Sequence, residues 1–241
     1  MAGTTPDTAG RFAMPLGEAM TTQRAIRRLR PDPVDDALVL ELIGLAVKAP
    51  SGSNAQSWEF IVVRDPEVKR RLGRLNAMAW KVYGTIGRWL KRNDPKSLRM
   101  IDAVQWQADH FAEIPVVVVV CLRGVIPWFP RIAPTSLYGS IFPAVQNLLL
   151  AARAAGLGAA LITLPLWNTI LARMTLGLPW YVTPCAVVPM GWPRGRYGPT
   201  TRRPVGEVVH VDRWGNQPFR DRPETPAPAT VSPGSSPRTP S

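Results

Sequence analysis

The order of apolar and polar residues along this chain predicts helices separated by short strands. Apolar residues recur at three- and four-residue steps, as on one face of a helix, in residues 18–28, 35–48, 65–75, 137–155 and 168–176. Short apolar runs typical of strands cover residues 59–63, 115–121, 159–164 and 186–191. Because the run 115–121 is apolar throughout, we expect this strand at the centre of a sheet, with both faces buried.

Residues 76–113 stand out by their aromatic side chains. Trp80, Tyr83 and Trp89 recur at helical spacing, and a second helical piece at residues 98–111 carries Trp106. The proline in the sequence Asn-Asp-Pro at residues 93–95 separates the two pieces. Tryptophans at this spacing commonly pack in a core or an interface. The alternative is that the two helices form a mobile cover over a flat aromatic ligand.

A loop of small, mostly polar residues separates the predicted helix at 35–48 from the predicted strand at 59–63. Its residues are Pro50, Ser51, Gly52, Ser53, Asn54, Ala55 and Gln56. Residues of this kind bring backbone N–H groups and short side chains close to anything that binds there. The loop is either an ordinary connector between a helix and a strand or part of a ligand site, and the loop alone does not decide between the two.

The chain is strongly basic, with 29 Lys and Arg against 17 Asp and Glu and a formal net charge of +12. This balance suits nucleic acid, an anionic membrane surface or small anionic ligands. Because the arginines are scattered rather than concentrated in one block, we expect no nucleic-acid partner. On the predicted helix 18–28, Arg24, Arg27 and Arg28 lie on one side. They form either a solvated basic face or an anion site.

Arg202 and Arg203 form a second basic group, in a loop that follows the predicted strand at 186–191. Guanidinium groups bind phosphate through two hydrogen bonds and keep their charge, so these arginines suit a ligand with a phosphate and a planar polar ring. The chain has no G-x-G-x-x-G after a strand and no G-x-x-x-x-G-K-[ST], which argues against a Rossmann or P-loop phosphate site. The chain contains no Ser/His/Asp or Cys/His pattern that would indicate a catalytic nucleophile.

Cysteine usage and hydropathy indicate a cytoplasmic protein. Cys121 and Cys185 lie in apolar strands outside any metal-binding pattern, and His110 and His210 are far apart, so we predict no metal site. Buried thiols suit a reducing compartment, and residues 1–10 lack the apolar core of a signal peptide. Residues 136–172 contain Arg153 as their single charged residue, but Pro and Gly interrupt them, which favours a buried helix over a membrane span.

A single domain is expected to account for most of the chain. Residues 1–17 are predicted to be a flexible N-terminus. From residue 217 to residue 241 Pro, Thr, Ser and Ala dominate, so this tail cannot bury enough apolar surface to become ordered. The predicted domain therefore spans residues 18–216, with the helical cover at 76–113 as an insertion.

Four motifs in this order give the chain a resemblance to the FMN-dependent nitroreductase family. They are RAIRRL at residues 24–29 with PDPV at 31–34, APSGSNAQSWEF at 49–60, NLLLAARAAGLG at 147–158, and PMGWP at 189–193 with RRPV at 202–205. Together they cover roughly residues 20 to 215. The chain departs from the family pattern at Ala25, where Ser is frequent, and at Ser57, where Pro is usual. Residues 161–166 also lack the acidic residue that some members carry near the flavin edge.

The resemblance implies an α+β fold and an intertwined homodimer. The fold is a three-layer sandwich whose central, mostly antiparallel sheet is flanked by helices, and two FMN molecules lie at the dimer interface. By similarity, Arg24, Ala25, Ile26 and Arg27 contact the flavin ring and ribityl phosphate; Pro50, Ser51, Gly52, Asn54 and Gln56 reach the FMN of the partner subunit; Thr163 and Leu164 lie near the reactive edge; and Arg202 and Arg203 hold the phosphate. Trp80, Tyr83, Trp89 and Trp106 are the expected substrate cover.

The resemblance also implies an activity. NADH or NADPH reduces FMN, and a nitroaromatic, quinone or related acceptor then reoxidises it, so no side chain is needed as a catalytic nucleophile. Arg27 is expected to stabilise the anionic reduced flavin. Three alternatives stay open: different flavin chemistry, such as reductive dehalogenation or flavin breakdown; a flavin-binding or flavin-storing protein without catalysis; and a basic nucleic-acid binder.

Overall fold

A computed structural model describes residues 8–127, 129 and 132–221 of the chain. Its helices are α1 (Thr8–Arg11), α2 (Leu16–Thr22), α3 (Asp36–Ala46), α4 (Pro66–Leu90), α5 (Pro95–Asp109), α6 (Ile132–Ala154) and α7 (Thr169–Leu176). Its strands are β1 (Trp58–Val63), β2 (Val116–Arg123), β3 (Gly158–Ala159) and β4 (Val182–Gly191). Residues 1–7 and 222–241, which hold part of the predicted flexible N-terminus and most of the predicted tail, lie outside the described part.

The four strands form one antiparallel sheet in the order β1-β2-β4-β3. Strand β2 is central, and all of its residues except Arg123 are buried. This confirms the expectation from its continuous apolar run, because a strand covered by helices on both faces needs apolar side chains at every position. A register shift between Val120 and Cys121 marks a bulge opposite β4.

Helices cover both faces of the sheet. Alternate residues of β2 point to opposite faces. On one face Val118 and Val120 join a core with α3 and α6. On the other face Val117 and Val119 join a core with α4 and α7. The predicted three-layer α+β sandwich with an antiparallel central sheet is therefore confirmed.

The predicted helix at residues 18–28 is wrong in its second half. Helix α2 ends at Thr22, and residues 23–28 are extended. The reason is a long-range pairing that outweighs local helical preference: the Ile26 N–H donates to the Ala159 carbonyl at 3.0 Å, and Leu29 forms an antiparallel bridge with Pro193. Arg24, Arg27 and Arg28 therefore do not share a helical face.

Three other predicted boundaries are wrong. Helix α4 is one uninterrupted helix of 25 residues that runs past the predicted end at residue 75 to Leu90. The predicted break before Pro95 is confirmed, with Asp94 capping α5. Helix α6 begins at Ile132, five residues before the predicted start. The predicted strand 159–164 is reduced to β3 and an isolated bridge between Ile162 and Val187, because Pro165 lies in a short 3₁₀ turn.

The described residues hold neither a candidate membrane span nor a candidate metal cluster. Within residues 8–127, 129 and 132–221, no helix combines the length and apolar character that a membrane crossing requires. The same residues contain no group of three or more His, Cys, Asp and Glu side chains placed to hold a metal ion.

Candidate functional site

The candidate site is built where two segments outside the regular helices and strands, residues 23–30 and 192–196, lie side by side. The Arg30 N–H donates to the Trp192 carbonyl at 2.8 Å, and the Arg194 N–H donates to the Arg28 carbonyl at 3.0 Å. With the bridge between Leu29 and Pro193, these bonds attach residues 23–30 to the end of β4. The PMGWP motif and the RAIRRL motif are thus neighbours in space although they are far apart in the sequence.

Gly158 allows this close packing. A Cβ atom at residue 158 would lie 2.7 Å from Ile26 Cγ2 and 2.7 Å from Leu29 Cδ2, closer than side-chain atoms approach one another. Only a residue without a side chain lets the backbone of residues 26–29 lie against β3. The glycine that follows α6 therefore helps to position the arginines.

An open cleft of about 510 Å³ lies against these segments. Its lining consists of Arg24, Ala25, Ile26, Arg27, Arg28, Ala103, Trp106, Arg194, Gly195 and Arg196. The lining contains five guanidinium groups and no carboxylate. None of these five arginines takes part in an ion pair with another described residue. Within the described part of the chain no ion pair therefore neutralises the positive charge of the cleft, which favours an anionic ligand.

Arg27 has the least solvated guanidinium group of the cleft. Its Nε atom is buried and has no hydrogen-bond partner among the described residues. Burial lowers the pKa of the Arg27 guanidinium, because the charged form loses hydration. The group nevertheless stays protonated, as arginine does throughout proteins. A buried donor without a partner costs free energy, and a bound acceptor would remove that cost.

Trp106 and Arg194 form one wall of the cleft. The Arg194 guanidinium lies over the Trp106 ring, 5.1 Å from its centroid, and its Nε donates to the Leu29 carbonyl at 3.1 Å. On α5 the Trp106 ring also stacks with His110, with 4.1 Å between the centroids and 10° between the planes. The indole is therefore held in place between the His110 ring and the Arg194 guanidinium.

The loop at residues 50–56 has an unusual backbone. Ser53, Asn54 and Gln56 all have positive φ, at 51°, 52° and 48°. Side chains other than glycine rarely adopt this conformation, and it is typical of functional loops held by their surroundings. Here the Gly52 N–H donates to Ser140 Oγ of α6 at 3.0 Å, and the Gln56 N–H donates to Ser51 Oγ at 3.1 Å.

This loop and the arginine cleft lie near opposite ends of α6. The loop contacts Ser140, whereas Arg153 Nε near the other end donates to Thr22 Oγ1 at 2.8 Å, just before Arg24. Thirteen residues of α6 separate Ser140 from Arg153, or about 20 Å at 1.5 Å per residue. The structure does not bring Pro50, Ser51, Gly52, Asn54 or Gln56 to the cleft of their own chain.

The remaining predicted contacts also lie outside the lining of this cleft. Thr163 is exposed and Leu164 half-buried, at the short 3₁₀ turn after the bridge at Ile162. Arg202 is exposed, and its guanidinium donates to the Thr201 carbonyl at 2.9 Å. Two residues earlier, the Thr200 N–H donates to the Thr21 carbonyl. Arg203 lines a separate pocket of about 370 Å³ with His210 and Trp214.

Only one of the four predicted cover residues reaches the cleft. Trp106 lines it, whereas Trp80 donates from Nε1 to Gln105 Oε1 at 2.8 Å between α4 and α5. Tyr83 and Trp89 are 63% and 65% exposed on α4.

Arg194, Gly195, Arg196 and Ala103 line the cleft but were not predicted as site residues. The sequence does carry a signal for the arginines, because residues 114–206 contain no Asp or Glu that could pair with them. It carries no signal for Ala103, which reaches the cleft through the packing of α5.

Comparisons with known proteins agree with this fold. The sequence profile described as the nitroreductase family matches residues 20–192. A provisionally named NADH dehydrogenase/NAD(P)H nitroreductase of Methanothermobacter thermautotrophicus is 26% identical, over 83% of this chain and 88% of its own length. Iodotyrosine deiodinase of Thermotoga neapolitana is 27% identical, over 80% of this chain and 94% of its own length.

Solved structures show the same architecture. An oxidised iodotyrosine deiodinase bound to FMN and 3-iodo-L-tyrosine has a TM-score of 0.64 at 21% identity, covering 82% of this chain and 98% of that one. A BluB-like flavoprotein from Clostridium difficile 630 has a TM-score of 0.62 at 19% identity, covering 83% of this chain and all of that one.

Proposed function

Because the chain belongs to the nitroreductase family, we propose that it is an FMN-dependent oxidoreductase that uses NADH or NADPH to reduce small acceptors. Nitroaromatic compounds, quinones and related molecules are the proposed acceptors. The observation that supports this proposal most directly is the cleft with five guanidinium groups and no carboxylate, in which Arg27 Nε has no hydrogen-bond partner among the described residues. A flavin with a phosphate tail supplies both an anion and polar ring atoms for such donors.

The residues of the cleft suit FMN. Arg24 and Arg27 are the proposed contacts to the phosphate and the flavin ring, and the extended backbone at Ala25 and Ile26 lets the ring approach closely. Trp106 provides an apolar surface beside it. When bound, FMN supplies the redox chemistry: it accepts a hydride from the nicotinamide and passes two electrons to the acceptor in a second, separate binding event.

The protein's own contribution is positioning and electrostatics. Cys121 and Cys185 are buried in the two cores, away from the cleft, and His110 is stacked on Trp106. We therefore assign no nucleophile, and we assign Arg27 the role of stabilising negative charge on the bound cofactor.

A homodimer completes the proposed site. The loop at 50–56 is exposed, has positive φ at three residues and lies about 20 Å along α6 from the cleft of its own chain. We propose that this loop contributes to the FMN site of the partner subunit. Thr163 and Leu164, together with Arg202 and Arg203, are proposed to approach the cofactor in that assembly.

Reductive dehalogenation is the second candidate function. Its support is the similarity to iodotyrosine deiodinases, one of which matches across 94% of its own length. This relative is 27% identical to the chain, and the nitroreductase-like relative of Methanothermobacter thermautotrophicus is 26% identical. Sequence identity therefore does not distinguish between the two reactions. Flavin breakdown and flavin storage remain as further alternatives.

Anaerobic titration of the FMN-loaded protein tests the proposal. We expect the purified protein to be yellow or to bind added FMN, and we expect NADH or NADPH to bleach the flavin absorbance. Bound flavin that neither nucleotide bleaches would favour storage, and a protein that binds no FMN would refute all the flavin functions. Nitroaromatics, quinones and 3-iodo-L-tyrosine, added to the reduced protein, then identify the acceptor class by the rate of reoxidation. The absence of nucleic-acid and membrane partners and the cytoplasmic location stay predictions.

A further inference from the structure

The cleft carries more positive charge than one FMN phosphate neutralises. Five guanidinium groups line it. A phosphate monoester carries about two negative charges at neutral pH, which leaves about three positive charges without an anion. Arg194 and Arg196 belong to the segment 114–206, which contains no Asp or Glu, so this segment provides no carboxylate to compensate them.

Arg194 is held in a position from which it could bind a second anionic ligand. Its backbone N–H donates to the Arg28 carbonyl, and its Nε donates to the Leu29 carbonyl. These two bonds hold the backbone and the guanidinium group of Arg194 in place. The two terminal nitrogens make no hydrogen bond to another described residue. The guanidinium plane is further restrained by the Trp106 ring, 5.1 Å away. A restrained guanidinium loses little conformational freedom when it binds phosphate, which strengthens the interaction.

We propose that the reductant is NADPH rather than NADH, and that Arg194 and Arg196 bind the 2′-phosphate of NADPH. NADH has a neutral hydroxyl group at that position, and arginine forms much stronger, charge-assisted hydrogen bonds with phosphate than with a hydroxyl. The preference presupposes the flavin reductase proposed above, but binding of the 2′-phosphate can be measured without any reaction.

A binding experiment on the FMN-loaded protein tests the arginine site directly. Adenosine 2′,5′-bisphosphate and adenosine 5′-monophosphate differ only in the 2′-phosphate, and calorimetric titration gives their dissociation constants. We expect the bisphosphate to bind about 10- to 100-fold more tightly, the range of one or two charge-assisted hydrogen bonds. The double variant Arg194→Gln/Arg196→Gln should lose this difference. Arg99 lies at an exposed position of α5 outside the cleft. The control variant Arg99→Gln removes one positive charge there and should keep the difference in affinity between the two adenine nucleotides.

Steady-state kinetics with the two nicotinamide nucleotides provide the second measurement. We expect kcat/KM for NADPH to fall about 10- to 100-fold more than kcat/KM for NADH in the double variant, compared at equal FMN content. Equal affinity of the wild-type protein for the two adenine nucleotides would overturn the inference, and so would an equal loss with NADPH and NADH. If neither nucleotide reduces the flavin, the proposed reductase function fails, and the calorimetric comparison still decides whether Arg194 and Arg196 select a 2′-phosphate.

Discussion

The buried Nε of Arg27 leads to the most direct prediction at the scale of single residues. We expect Arg27→Ala to weaken FMN binding about 10- to 100-fold, because it removes a charged group whose Nε has no hydrogen-bond partner in the described part of the chain. The variant should also lower the reduction potential of the bound flavin, since the positive charge stabilises its reduced form more than its oxidised form. Fluorescence titration and a dye-linked potential measurement test the two effects.

Arg30→Ala is the matched control for Arg27→Ala. Arg30 lies three residues along the same extended segment but forms an exposed ion pair with Asp32 at 3.1 Å, outside the cleft. We expect the control to bind FMN normally with an unchanged potential. If Arg27→Ala behaves like this control, Arg27 does not contact the cofactor.

The two cysteines are predicted to be unreactive in the folded protein. Burial is the main cause that raises the pKa of the Cys121 thiol to about 12 and that of Cys185 to about 11, so almost no thiolate exists at pH 8. The two side chains belong to the cores on opposite faces of the sheet, which prevents a disulfide between them. Titration with a thiol-specific reagent at pH 8 should label no cysteine in native protein and two per chain in denaturant; rapid labelling of the native protein would contradict this expectation.

At the scale of elements, Gly158 tests how β3 positions the arginine segment. The added methyl group of Gly158→Ala would overlap Ile26 and Leu29, so residues 24–29 must move away from β3. Overpacking of this kind costs about 1–3 kcal/mol, and the shifted arginines should bind FMN more weakly. Denaturant unfolding and FMN titration measure the two effects.

Gly139→Ala provides the control for Gly158→Ala. Gly139 lies inside α6, and a Cβ there would meet no atom within 4 Å. Alanine is favoured over glycine in a helix by roughly 0.5–1 kcal/mol, so this variant should be equally or more stable. Equal behaviour of the two variants would show that the contact at residue 158 does not position the site.

The sequence predicts well those elements whose burial follows from their own residues. Strand β2 follows from its run of valines, and the Gly at residue 177 correctly ends α7, where it adopts φ of 63°. The extended segment at Ile26 could not be predicted in this way. Its hydrogen bond to Ala159 joins residues more than a hundred positions apart, and local periodicity contains no information about such a partner.

At the scale of the whole molecule, the sequence identifies both halves of the proposed site but not their separation. The motifs at residues 24–29 and 49–60 are recognisable in the sequence, whereas their positions near opposite ends of α6 require the folded chain. Arg194 and Arg196 are not predicted as site residues from the sequence, because their place in the cleft depends on the backbone hydrogen bond from Arg194 to Arg28. Under the proposed function one chain would therefore present two half-sites, which would meet only in a dimer.

Mixed dimers test whether the two half-sites meet across subunits. Arg24→Ala/Arg27→Ala removes the guanidinium half, and Gly52→Asp/Asn54→Asp places two carboxylates in the loop half, so each homodimer should bind no FMN. If sites are shared, a heterodimer of the two variants keeps one intact site, built from the arginines of one chain and the loop of the other. Co-expression with two affinity tags should therefore yield one FMN per heterodimer. Co-expression of differently tagged copies of the same variant is the control and should yield none. A flavin-free heterodimer would show that the loop and the arginines serve the same chain. FMN bound to the homodimer of the loop variant would show that the loop does not contribute to the site.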